Sequence, residues 1–151
     1  MTKRSGERRQ ADLSESELRV SIPSTLTAVE PVCERIRHLL NKRHLERMCF
    51  AVEIVARECL NNAITHGNGG KRESLVSFDM RIGRKLIFLR IADEGPGFDW
   101  RRMRRRRVWP SGSQAEGRGL LLASIYAQRV IYNRRGNQVT LWISTIRKGR
   151  E

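Results

Sequence analysis

The sequence contains no apolar run approaching the ~20 residues that a membrane-spanning helix needs. No membrane partner is therefore expected. Residues Met1 to Leu18 carry charge without an apolar core, so this stretch does not read as a secretory signal. The expected location is the cytoplasm. Cysteine is scarce and unpatterned: Cys33, Cys49 and Cys59 lie far apart with no C-x-x-C pair. An odd, scattered set excludes a disulfide framework and a zinc cage, and leaves core or half-buried thiols on helices. His38, His44 and His66 have no metal-ligand spacing among themselves. Acids are also in deficit, with 16 Asp and Glu against 30 Lys and Arg, for a formal net charge of +14.

Much of that charge is local. Six of the seven residues from Arg101 to Arg107 are arginine, and Lys3, Arg4, Arg8 and Arg9 form a smaller cluster. Such clusters attract polyanions: nucleic acid, ATP or an acidic protein face. They are equally the composition of a solvated loop. Trp100 and Trp109 flank the arginine run without punctuating it, which argues against nucleic acid as its partner.

The 151 residues suit one domain with a real core. Residues 1–16 are polar and read as a disordered tail, 17–147 as the folded domain and 148–151 as a second tail. Leu18, Val20 and Ile22 alternate as in a strand that stops at Pro23. A helix is expected from about Val29 to Asn41, with Pro31 in its first turn. A second helix is expected from about His44 to His66, where Phe50, Val52, Ile54, Val55, Leu60, Ala63 and Ile64 recur at helical spacing. Gly67 and the Gly69-Gly70 pair end it.

Strand patterns over Leu75–Ile82 and Lys85–Ala92 flank a Gly83-Arg84 turn. Residues 99–116 read as a long mobile loop. Gly117 opens a helix to about Gln128, and strands follow over Arg129–Asn133 and Gln138–Ile146. Strands and helices segregate into pairs rather than alternating. That pattern predicts an α+β two-layer sandwich, with helices on one face of a mostly antiparallel sheet.

Three segments carry the chemistry. In Glu58-Cys59-Leu60-Asn61-Asn62-Ala63-Ile64-Thr65-His66-Gly67, the residues Glu58, Asn62 and His66 repeat every four positions and share a helix face. A carboxylate there can act as a base and an amide oxygen can ligate Mg²⁺, although a solvated helix edge has the same spacing. In Asp93-Glu94-Gly95-Pro96-Gly97-Phe98, a carboxylate at a strand end can accept from an exocyclic amine, and the glycines permit close backbone approach. A glycine-rich turn with an exposed acid reads the same way. In Gly117-Arg118-Gly119-Leu120, free amides at a helix start and the Arg118 side chain can meet phosphate. An ordinary glycine-initiated helix is the alternative.

Order and spacing add what each segment lacks alone. E-x-x-x-N-A-x-x-H-G, then D-x-G-x-G-F about 30 residues on, then G-x-G-L about 20 further, resembles the N, G1 and G2 boxes of the GHKL superfamily. That group includes histidine kinases, gyrase and MutL, and the resemblance spans roughly residues 18–146. It implies the Bergerat, or histidine-kinase-like ATPase, fold, with a mixed sheet. Within the superfamily the chain resembles the RsbW/SpoIIAB type of anti-sigma factor and serine-protein kinase. None of His38, His44 and His66 is followed by the acid usual beside a histidine kinase's phospho-acceptor.

The resemblance implies a role for each residue. Glu58 would be the general base and Asn62 the Mg²⁺ ligand. His66, Asp93, Gly95, Gly97, Gly117, Arg118, Gly119 and Asn137 would join the ATP site, with Asp93 on the adenine amine. Residues 99–116 would be the ATP lid. It further implies a sigma factor and a STAS-domain anti-anti-sigma protein as partners, a homodimer, and a helix near residues 29–41 in the dimer or sigma-binding surface. Two departures stand out. Gly136-Asn137 replaces the family's Gly-Thr, so a weakened adenine contact is expected, and the lid is packed with arginine. The alternative function is an ATP-binding partner-switch regulator without kinase activity.

Overall fold

A computed structural model describes residues 16–102, 123 and 125–146. Strand β1 (Glu17–Pro23) leads through a short 3-10 turn into helix α1 (Val29–Lys42), and a second 3-10 turn leads into helix α2 (Cys49–Asn62). Strands β2 (Leu75–Ile82), β3 (Leu86–Ala92), β4 (Ala127–Tyr132) and β5 (Gln138–Ser144) follow. They form one open sheet in the order β1-β2-β3-β5-β4. Every pairing among the described residues is antiparallel, so the mixed sheet expected from the family resemblance has no parallel pair here. Two helices in succession between β1 and β2 return the chain to the end it left, which sets those neighbours antiparallel.

The core follows from the two periodicities of the sequence. Val29, Val32, Cys33, Ile36 and Leu40 form the buried stripe of α1, and Val52, Val55, Ala56, Cys59 and Leu60 that of α2. They meet the inward residues of the strands, including Leu18, Ile22, Val76, Phe78, Met80, Ile87, Leu89, Ile91, Leu141 and Ile143. Each such side chain contributes roughly 1.5–3 kcal/mol when fully buried. On the solvent side of the helix pair, Arg37 makes a bidentate contact with Glu53 at 2.8 and 2.9 Å, and Arg57 pairs with Glu30. These bonds orient the helices more than they stabilise them, since exposed pairs are worth about 0–1 kcal/mol.

The second helix starts later than its pattern predicts. His44 has φ 55°, and its N–H donates to the Asn41 carbonyl while the Leu45 N–H donates to Leu40. This is a Schellman cap with histidine where glycine usually sits, so His44 ends α1 instead of opening α2. At the other end, α-helical geometry stops at Asn62 and a π turn runs over Ala63–Gly67, where the Asn68 N–H reaches the Ala63 carbonyl at 2.8 Å. Strand β4 begins at Ala127, two residues before the expected start, and its register against β5 slips between Ala127 and Arg129. No helix among the described residues is long and apolar enough to cross a membrane.

Candidate functional site

The end of α2, the loop after β3 and the β4–β5 turn converge at one place. The wide π turn delivers Gly67 against the side chain of Asp93, where a β-carbon on residue 67 would collide with the carboxylate. Gly95 in turn lies against the Gly67 carbonyl and donates its N–H to Asp93 Oδ1 at 2.8 Å. Asp93 is thus half-buried, and burial pushes its pKa up. The Gly95 N–H and the Arg135 charge pull it back without cancelling that effect.

The main chain of Asp93 is held separately from its carboxylate. Its N–H donates to the Asn137 carbonyl and its carbonyl accepts from Asn137 Nδ2, both at 2.9 Å. Asn137 Oδ1 accepts from Asn133 Nδ2 at 2.7 Å. Asn133 Oδ1 gathers the N–H groups of Gly136, Asn137 and Gln138, an Asx arrangement that shapes the β4–β5 turn. Gly97, at φ +80°, lets the loop press against the Arg135 carbonyl of that turn, where any other residue would be strained. Asn137 therefore steadies the Asp93 backbone with its amide.

Asn68 clamps the opposite side of the loop. It is 5% exposed. Its Nδ2 donates to Ser24 Oγ at 2.8 Å and the Leu75 carbonyl at 3.0 Å, and its Oδ1 accepts the Glu94 N–H at 2.8 Å. Glu94 Oε2 takes the Leu75 N–H at 2.7 Å. One buried amide thus joins the start of the helical layer, β2 and the Asp93 loop. Sequence reasoning missed it, because Gly67-Asn68-Gly69-Gly70 reads as a turn in which asparagine is ordinary.

Glu58 and Asn62 both lie on α2 and are partly exposed, one turn apart, about 6 Å along the axis. The expected row of three breaks at His66. The π turn moves it off the straight i, i+4 line, and it is exposed. Gly117, Arg118 and Gly119 lie outside the described residues, as does the expected lid beyond residue 102. The start of that segment is anchored. Trp100 stacks on Tyr132 at 5.9 Å, donates from Nε1 to the Asn133 carbonyl at 2.9 Å, and lies under Arg101 at 4.5 Å.

The first two boxes thus meet in space, where Gly67 packs against Asp93. The family model described as histidine kinase-like ATPase domain matches residues 22–143, from within β1 to within β5. The chain belongs to that family. No curated protein matches it. Membership makes this histidine kinase-like ATPase domain an ATP-binding fold. The residues present fit a nucleotide's exocyclic amine: a half-buried carboxylate at a strand end, packed against Gly67 and Gly95, on a loop pinned by Asn137 and Asn68. Among the described residues no three His, Cys, Asp or Glu side chains form a metal cage. A Mg²⁺ bound through one protein oxygen and substrate phosphates requires none.

Proposed function

We propose that this domain is an anti-sigma factor and serine-protein kinase that sequesters a sigma factor and phosphorylates a STAS-domain antagonist. The observation that carries the reading is the seating of Asp93 against Gly67, at the end of the helix that presents Asn62 and Glu58. Asp93 accepts from the adenine amine, and Asn137 and Asn68 keep its loop in place. Asn62 would hold Mg²⁺, which neutralises phosphate charge when bound. Gly117, Arg118 and Gly119 would meet the phosphates.

In the transfer, the partner's serine oxygen bonds to the γ-phosphorus and the bridging bond to ADP breaks. The serine proton passes to Glu58. Positioning and charge neutralisation supply most of such a rate, so one base and one amide ligand suffice. Phosphorylation removes the antagonist and restores sigma sequestration. The outward face of α1, with Glu30, Glu34, Arg35 and His38 exposed, belongs to the dimer or sigma-binding surface.

The deciding experiment incubates the purified protein with Mg-ATP, labelled on the γ-phosphate, and STAS proteins of the same genome. Label on a STAS serine, lost in Glu58→Ala while ATP still binds, supports the kinase. ATP binding without any transfer would make the domain a nucleotide-dependent binding regulator instead.

A further inference from the structure

The sheet has a second face, away from the helices, and the described residues place nothing over it. Alternation turns Glu17, Arg19 and Ser21 outward on β1, and Ser77, Asp79 and Arg81 on β2. On β3 it turns out Phe88, Arg90 and Ala92, and on β5 Gln138, Thr140 and Trp142. The register aligns one row across four strands: Arg81 opposite Phe88, Phe88 opposite Trp142, and Trp142 opposite Arg129. The two rings meet edge to face at 5.7 Å. Arg81 lies over Phe88 at 5.7 Å and Arg129 over Trp142 at 5.6 Å.

The next row holds Arg19, Asp79 and Arg90. The Asp79 side chain is only 12% exposed and is flanked by both arginines, with Arg19 Nε 3.1 Å from Oδ1. Its charge is spent within the row. Glu17 lies 3.7 Å from both Arg19 and Arg81. Beyond, Ser21, Ser77, Ala92 and Gln138 are small or neutral and floor a trough of about 460 Å³ beside Arg19 and Arg90. Four arginines therefore face two carboxylates already paired, around two adjacent rings.

From this arrangement we infer that the open sheet face binds single-stranded nucleic acid. Bases stack on Phe88 and Trp142, and phosphates meet Arg81, Arg90 and Arg129. Aromatic platforms set in a cationic surface hold single strands because every base has a π-face. The guanidinium groups rest over the rings, so a base that stacks there displaces them outward, where their N–H groups meet the adjoining phosphates. The aromatic interleaving that the 101–107 run lacks is built here by strand register. An acidic peptide would use the charges and leave the paired rings without a purpose. A second copy of this chain would bring arginines against arginines.

The test is fluorescence anisotropy of labelled oligo-dT of about 15 nucleotides, with the full chain at several salt concentrations. Polyglutamate and duplex DNA serve as competitors. Wild type should bind with a clear salt dependence. Trp142→Leu should weaken binding about tenfold or more, and Trp142→Phe should retain most of it. Arg81→Gln with Arg129→Gln should weaken it about tenfold or more and leave the fold and ATP binding intact. Unchanged oligo-dT affinity in a folded Trp142→Leu protein would overturn the inference, leaving the basic segments as the source. Equal competition by polyglutamate would overturn it in favour of an acidic protein. A dimer in solution that Arg129→Glu converts to monomer would assign the face to a second copy and overturn it too.

Discussion

Asn137 and Asp93 are bonded to each other in both directions: main-chain N–H to carbonyl one way, side-chain amide to carbonyl the other, each at 2.9 Å. Only the second bond depends on the side chain. Asn137→Ala removes it along with the contact to Asn133 and leaves the Asp93 carbonyl with one partner fewer. The expected cost is about 1–3 kcal/mol of stability, with weaker ATP binding. Thermal melting and calorimetric titration of ATP check both. Asn137→Thr keeps a hydroxyl donor and should recover part of each loss.

Gly67→Ala tests the close approach at the helix end. A methyl group there overlaps the Asp93 carboxylate, so the loop must shift. Overpacking of this kind costs about 1–3 kcal/mol. ATP affinity should fall further than stability does, because the displaced group is the one proposed to read the base. Loss of stability with unchanged ATP affinity would remove Asp93 from the binding site.

Asp93 gives opposite pH trends for folding and for binding. Its pKa is raised in the fold, chiefly by burial. The folded chain therefore holds this proton more readily than the unfolded chain does. The stability it contributes is complete below the unfolded carboxyl pKa and is lost as pH rises through the folded value. On the proposed role ATP binding needs the ionised acceptor, and it should strengthen over the same window. Asp93→Asn should melt no lower than wild type at neutral pH and lose that pH trend. Its ATP affinity should drop about 10–100-fold. Melting across a pH series, together with titration of ATP, separates the two effects.

The cysteines should react in a fixed order. Cys33 and Cys59 are buried, and burial pushes Cys59 up to about 12. Cys49 is partly exposed, with its thiol raised by burial and by Glu53. A disulfide reagent at mildly alkaline pH should modify Cys49 first, and the other two only with unfolding. Simultaneous release of all three in native buffer would contradict the packing of α2.

Strands were legible because each inward face recurs at a period of two, and β2 matches its expected bounds, Leu75–Ile82. Helix α1 was legible because Pro31 allows only a start near Val29. The beginning of α2 was not, because the left-handed turn falls on His44 and no glycine marks it. The π turn was hidden as well. It delivers Gly67 against Asp93, a residue far away in sequence. The role of Asn68 was hidden for the same reason: it looks like a turn residue until its distant partners Ser24 and Glu94 are known. The segments that carry Glu58, Asn62 and Asp93 stood out only through the order of the boxes, and it is the fold that brings Gly67 of the first against Asp93 of the second.

The slipped register between Ala127 and Arg129 sits on β4, an outermost strand of the sheet. A smooth, unpaired strand edge is a template for another chain. An irregular edge that carries exposed Gln128 and Arg129 is a poor one. At the opposite border, β1 ends in Pro23 and carries Glu17 and Arg19 outward. Both margins of the sheet are thus guarded against edge-to-edge aggregation, by a different device on each side.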